Sequence, residues 1–322
     1  MTIASLDQAA KLATEKRAEQ LSTLPMVPAG PTQGFFRGTL RSVRDIWTYR
    51  ELLNLLYHRE LKSRYKDSVL GFVWSLLKPL ALLAVYYIAV GKFLGAAGAL
   101  PDYAVYVFSG ITAWGLFSEI VGTGTGSILS NSGLVKKIYL PREVFPLSVV
   151  GSALFNFAMQ LIVLLAATFI VGAPPWGWRL LYGVAAAFML MVWATAFAFV
   201  FSAVNVYLRD VQYLVEIGLL WGMWTAPIVY QWTQVSLYLH GWLEKLYVAN
   251  PIAAGVLGFH KAFWVRGDVP TVRSTAPPYE LLSNYPPHLA VYIGVDIFAG
   301  LIMIWVCQRI FARLQANFAQ EL

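Results

Sequence analysis

"NSGLVKKIYLPREVF", residues 131–145, separates two long apolar runs, and its reading decides the fold. It places two lysines and then Pro-Arg-Glu in a chain that is 58% hydrophobic and only 13% charged. That composition excludes an ordinary soluble domain and reads as an all-α polytopic membrane protein. The connector is then a loop on one side of a bilayer. A hydrocarbon core about 30 Å thick needs about 20 apolar residues of helix to cross it. Six stretches meet this requirement, at about 70–94, 104–128, 147–171, 180–207, 211–230 and 289–311.

An even number of crossings puts both termini on one side. Residues 1–68, Lys78, the 131–146 connector, Arg209 and the C-terminal tail hold 18 of the 24 Lys and Arg residues. The positive-inside rule therefore predicts that both termini and the connector are cytoplasmic. The net charge of +7 reads as loops facing anionic lipid, not as a nucleic-acid surface. The single cysteine, Cys307, lies in an apolar run, which leaves no internal disulfide. Before residue 69 no apolar stretch matches a cleavable signal core, so the first span is expected to direct insertion itself.

Three regions follow from this. Residues 1–34, with Pro25, Pro28 and Pro31, read as a mobile cytoplasmic extension. Residues 35–68 form a cytoplasmic region whose stretch 47–68 has helical period. Tyr49, Leu53, Leu56, Tyr57, Leu61 and Tyr65 fall on one face and Arg50, Asn54, His58 and Lys62 on the other. Such a helix lies along the membrane surface or packs on a neighbour. Residues 69–322 make the six-span unit. Within it, 232–287 is too short in apolar runs to cross and is expected outside, with short re-entrant helices. The best of these follows Asn250-Pro251, a proline-at-start signal.

No catalytic signature, phosphate loop or metal-binding spacing is present, so no catalytic, cofactor or metal residue is expected in this chain. "GTGTGS", residues 122–127, lies within a span and lacks a lysine, which favours close helix packing through small residues. Gly218 and Gly222 form a G-x-x-x-G that fits a helix contact or a dimer seam. Glu119 and Asp296 sit inside spans and either bond to neighbouring spans or face water. Lys78 is placed to snorkel from a span end, with Pro79 opening the helix proper. The deep aromatics Tyr86, Tyr87, Trp114, Trp193, Trp221 and Trp224 suit either ordinary packing or stacking on sugar rings.

Four stretches together resemble the membrane subunit of ABC transporters that export bacterial surface polysaccharides such as O-antigen, teichoic acid and wall galactan. They are "RELKSRYKDSVLGFVWSLLKPL" (59–80), "NSGLVKKIYLPREVFPL" (131–147), "VYLRDVQYLVEIGLLWGMWTAPIVY" (206–230) and the Asn-Pro at 250–251. Their order and spacing match from about residue 45 to the C-terminus; the N-terminal extension and the abundance of tryptophan depart from the pattern.

The resemblance implies a homodimer in the bacterial inner membrane with two copies of a separate cytosolic ATPase, which would hold ATP and Mg. It implies that residues 131–140 are a coupling helix seated in a groove of that ATPase. There Leu134, Ile138 and Leu140 would anchor, Lys136 and Lys137 would pair charges, and Pro141 would end the helix. The alternative for this segment is a basic membrane-anchoring loop. Helix 47–66 would gate the channel, and Arg59, Lys62, Arg64 and Lys66 would receive the pyrophosphate of a polyprenyl-linked polysaccharide. The deep aromatics would line a continuous tube through the dimer, because a polymer longer than the bilayer is thick cannot be handled by rocking about one closed site. Competing readings are an ABC permease for a drug or small lipid, a secondary transporter, and a membrane glycosyltransferase.

Overall fold

The structure is a computed structural model that describes residues 35–65, 71, 73–93, 95, 98, 100–137, 140–269, 271–272 and 281–322. The 1–34 extension and Lys66 lie outside the described residues, as do the side chains of Arg64 and Tyr65. With no water in the hydrocarbon core, backbone N–H and C=O groups must pair within their own segment, so apolar runs of this length become helices.

The helices are α1 (Phe35–Thr48), α2 (Arg50–Tyr65), α3 (Val73–Tyr86), α4 (Tyr103–Ser130), α5 (Ser132–Lys137), α6 (Val144–Ile170) and α7 (Leu180–Tyr207). They continue as α8 (Val211–Thr225), α9 (Trp232–Tyr238), α10 (Trp242–Val248), α11 (Pro251–Phe263), α12 (Leu289–Leu314) and α13 (Phe318–Glu321). A π-helical stretch, Tyr87–Phe93, prolongs α3. The described strands are one two-residue antiparallel pair, Thr271–Val272 with Leu281–Leu282.

Among the described residues, five segments are long and apolar enough to cross a membrane: Leu76–Phe93, Tyr103–Ser130, Val144–Ile170, Gly177–Tyr207 and Leu289–Asn317. The α4 helix runs through the middle, buried along most of its length against α6, α7, α8 and α11. A helix apolar on all sides belongs in the centre of a bundle. Its "GTGTGS" stretch makes close helix contacts: a methyl group at Gly124 would stand 2.7 Å from the Ala198 Cβ of α7. Asn205 Nδ2 donates to the Thr125 carbonyl at 3.1 Å, and Gln212 Nε2 donates to the Gly122 carbonyl at 3.3 Å. The hydroxyls of Thr112, Thr125 and Thr195 donate back to carbonyls four residues earlier, which satisfies them inside apolar helices.

The stretch expected to span at 211–230 folds differently from the others. Its helix α8 has 15 residues, about 22 Å of rise, and stops at Ala226, where the backbone turns extended ahead of Pro227. Proline restricts the residue before it to extended conformations, which explains the stop. The freed carbonyls are not left bare. The Tyr106 hydroxyl reaches the Pro227 and Tyr230 oxygens at 3.0 and 2.6 Å, donating to one at a time. The Tyr230 hydroxyl donates to the Trp224 carbonyl at 2.9 Å. Of the α8 side chains only Val215 is buried; Val211, Leu219 and Met223 pack part-buried on the main core, and Leu214, Ile217, Leu220, Trp221 and Trp224 are exposed on the other face.

After α9 and α10, Asn250 caps α11 by accepting a bond from the Ile252 amide at 3.0 Å, with Pro251 as the first helical residue. This is the helix start that Asn-Pro announces. The α11 helix is buried on nearly every side. Its last carbonyls are gathered by Arg179, which bonds the oxygens of Lys261, Trp264 and Val265 at 3.0–3.3 Å and pairs with Asp268 at 2.9 Å. Asp268 also pairs with Lys261 at 2.5 Å.

Two expectations need correction. The helix placed at 47–68 is two helices, α1 and α2, broken at Tyr49. In α2, Leu52, Leu53 and Leu56 pack into the chain's own core and Tyr57 lies against Gly151 of α6, so tertiary contact uses the apolar face. The cleaner separation of faces is in α1, where Val43 and Trp47 are exposed on one side and Arg44 lies on another. Pro79 does not open a helix, since α3 begins at Val73 and carries the proline inside. Of the two readings open for Gly218 and Gly222, Gly222 makes a helix contact: a methyl group there would stand 2.9 Å from the Trp114 ring of α4, whereas Gly218 faces open space.

Candidate functional site

The connector is built from its two ends. At its start, Asn131 caps α4 with its backbone N–H on the Ile128 and Leu129 carbonyls. Its side-chain amide donates to the Ser127 carbonyl at 2.8 Å, and its own carbonyl accepts the Leu134 and Val135 amides that begin α5. The Asn131 Oδ1 also accepts a bond from Arg59 Nη2 of α2. At its other end, Pro141 and Arg142 lead into Glu143, which is buried at the start of α6. Glu143 Oε1 accepts from Gln308 Nε2 at 3.3 Å and from Gln315 Nε2 at 3.5 Å. Burial pushes the Glu143 carboxyl above the usual carboxylate range, and the two glutamine bonds and the Arg309 charge pull partly against that.

Between these ends, Val135 and Leu140 are buried in a core shared by Leu56, Ile128, Phe145, Phe199, Phe311 and Phe318. Leu134 packs against the same core. The expectation that Leu140 anchors in a partner is therefore corrected, because its side chain is spent inside this chain. Sequence reasoning missed Val135, whose helical position between Leu134 and Lys136 gave no hint of which apolar side chain turns inward. Ile138 lies outside the described residues. Gly133, Lys136 and Lys137 stay exposed. The C-terminal tail supports the connector from below: Phe318 is fully buried, and the Arg142 guanidinium sits 5.5 Å from its ring centroid. The result is a short basic helix presented outward on a rigid base.

The other expected residues separate. Arg59 is engaged with Asn131, and Lys62 is exposed on α2. Trp114 is buried against α8, and Trp193 donates from Nε1 to the Asp296 carbonyl at 2.9 Å while packing on Gly300. Both act as packing groups in this arrangement. Tyr86 and Tyr87 are half-buried against the main core. Trp221 and Trp224 are 70% and 56% exposed, which leaves them as the deep aromatics that present open rings. Glu119 is held by Asn156 Nδ2 at 2.6 Å, a bond across α4 and α6 that answers the choice left open for it. Among the described residues, no three His, Cys, Asp or Glu side chains gather as a metal site.

The geometry gives a polytopic helical bundle with a basic helix on a short connector, and the comparison with known proteins gives its family. The chain belongs to the ABC-2 type transporter family, whose profile matches residues 51–264, from α2 to the end of α11. Among its relatives, an O-antigen export system permease protein of Myxococcus xanthus is 31% identical over 88% of this chain and 100% of its own length. A permease protein of the same description from Klebsiella pneumoniae is 26% identical over 84% of this chain and 95% of its own length. A polysialic acid transport protein of Escherichia coli is 30% identical over a shorter region, 24% of this chain and 31% of its own length.

Proposed function

We propose that this chain is the membrane-spanning subunit of an ATP-driven exporter that moves a lipid-linked cell-surface polysaccharide from the cytoplasm across the bacterial inner membrane. The observation that carries this reading is the full-length likeness to an O-antigen export permease, at 31% identity over 100% of that relative. In this reading two copies of the chain pair, two separate ATPase subunits hold ATP and Mg, and α5 seats on the ATPase through Lys136 and Lys137. Both termini are cytoplasmic, in line with the distribution of Lys and Arg.

The sixth crossing is α8 together with the extended 226–230 segment. A broken helix at membrane depth is tolerated where protein groups bond its freed carbonyls, which the tyrosine bonds to Pro227, Tyr230 and Trp224 support. The helices α9 to α11 enter and leave on the outer side, since 13 residues of α11 rise only about 20 Å. The exposed faces of α3 and α8 are where the second copy and the polymer path belong, and Trp221 and Trp224 are the rings available to sugar.

Replacing Trp221 and Trp224 together by Ala in the assembled complex should lower polysaccharide export on the order of tenfold, the worth of two stacking rings. Trp193→Phe should change thermal stability and leave export per folded complex unaltered. The readout is surface polysaccharide per assembled transporter, with its length profile. Export unchanged in the Trp221/Trp224 variant would remove the sugar-stacking assignment.

A further inference from the structure

The connector is tied at both ends to the N-terminal helix pair by polar side chains, through an exposed bond at its start and through buried groups at its end. At its start the tie is the Asn131–Arg59 bond to α2. At its end a chain of directed bonds runs through the base of α12. Glu143 Oε1 accepts from Gln308 Nε2 at 3.3 Å, Gln308 Oε1 accepts from Arg309 Nε at 2.8 Å, and Arg309 Nη2 donates to Ser42 Oγ of α1 at 3.3 Å. One turn earlier on α12, Trp305 Nε1 donates to Thr39 Oγ1 of α1 at 2.9 Å. Glu143, Gln308 and Arg309 are all buried, at 3%, 8% and 9% exposure.

Burial gives this chain its mechanical meaning. Water cannot readily replace a lost partner there, so each bond is kept or the group is left unsatisfied at a cost. Packed apolar side chains also transmit strain, and consecutive hydrogen bonds add a fixed distance and direction along one line of groups. A displacement of Glu143 is therefore handed to Arg309 and on to Ser42. The receiving helix is α1, whose exposed Val43 and Trp47 place its apolar side outside the bundle.

We infer that Gln308 and Arg309 are positioning residues that make α1 move with the connector, so that a push on α5 reaches the N-terminal helix pair through the base of α12. This rests on the proposed reading of α5 as the seat of the ATPase. It assigns movement to α1, which the sequence left outside the gate, and it gives a transmission role to side chains in no recognised motif.

The test uses the full chain assembled with its ATPase in lipid nanodiscs, carrying an environment-sensitive fluorophore on Val43→Cys; the native Cys307 is buried. ATP is expected to shift the fluorescence in the complex with the native relay. In the Gln308→Leu background the shift and the export per ATP hydrolysed should each fall by about fivefold or more, with hydrolysis itself maintained. The exchange Glu143→Gln with Gln308→Glu again places an amide donor against a carboxylate and keeps an acceptor for Arg309, so it should restore both. If Gln308→Leu does not assemble, Thr39→Val with Ser42→Ala cuts the same path at α1 and carries the same expectation. Native shift and native export in the cut variants would overturn the inference, as would export and hydrolysis falling together only in proportion to lost complex. Failure of the unsubstituted chain to bind an ATPase would instead overturn the proposed function, and this inference with it.

Discussion

Reversal of Lys136 and Lys137 to Glu is expected to abolish export while leaving the bundle folded. Both side chains are exposed at the end of α5, and exposed substitutions away from caps and cores usually change stability by no more than about 0.5 kcal/mol. The helix is held from the other side by Val135 in the core, and the connector beyond it by Leu140, neither of which the reversal touches. An interface that receives two lysines meets like charge after the reversal, at a cost of several kcal/mol, or roughly a hundredfold or more in affinity. Affinity of the solubilised chain for its ATPase, measured beside its thermal midpoint, checks this. Native affinity and native export in the reversed variant would leave the connector as a membrane-anchoring loop.

Gly258→Leu is expected to damage the fold severely. A methyl group at this position would stand 2.7 Å from the Ala186 Cβ of α7 and 3.1 Å from Ile293 Cδ1 of α12. An alanine Cβ has no rotamer by which to yield, so the helices themselves must separate. Overpacking of this kind costs about 3 kcal/mol or more, and the thermal midpoint should fall by roughly 5 to 10 °C. Gly294→Leu on α12, which faces open space, serves as the control and should leave the midpoint nearly unchanged. Equal midpoints for the two variants would mean that α11 is not wedged between α7 and α12 as described.

The long helices were legible because a sustained apolar run has one outcome in a membrane. The stretches at 104–128, 147–171, 180–207 and 289–311 return as α4, α6, α7 and α12 with ends moved by a few residues. The start of α11 was legible from Asn250-Pro251, where cap chemistry is local. The break in α8 was harder to place, since an apolar run reads alike whether its backbone is helical or extended, and the bonds that permit the break come from Tyr106, far away in sequence. Helix α1 was overlooked because its pattern ends at Trp47, the residue taken to open the next helix.

The connector was visible as a charged interruption, yet what holds it was not. Glu143 was quoted within its motif, but its partner Gln308 lies 165 residues away. A single glutamine and arginine near the end of an apolar helix carry no period that would mark them. Arg59, read as a cation for a pyrophosphate, also bonds Asn131, a contact that only the packing of α2 against the bundle creates.

The central claim is that the chain moves its cargo on energy supplied by a separate ATPase. It is tested most directly by reconstituting the purified chain in liposomes with and without that subunit and following uptake of lipid-linked polysaccharide on addition of ATP. The account predicts ATP-dependent transport only when both are present, with hydrolysis accelerated by the polysaccharide. Active transport by the chain alone would contradict it.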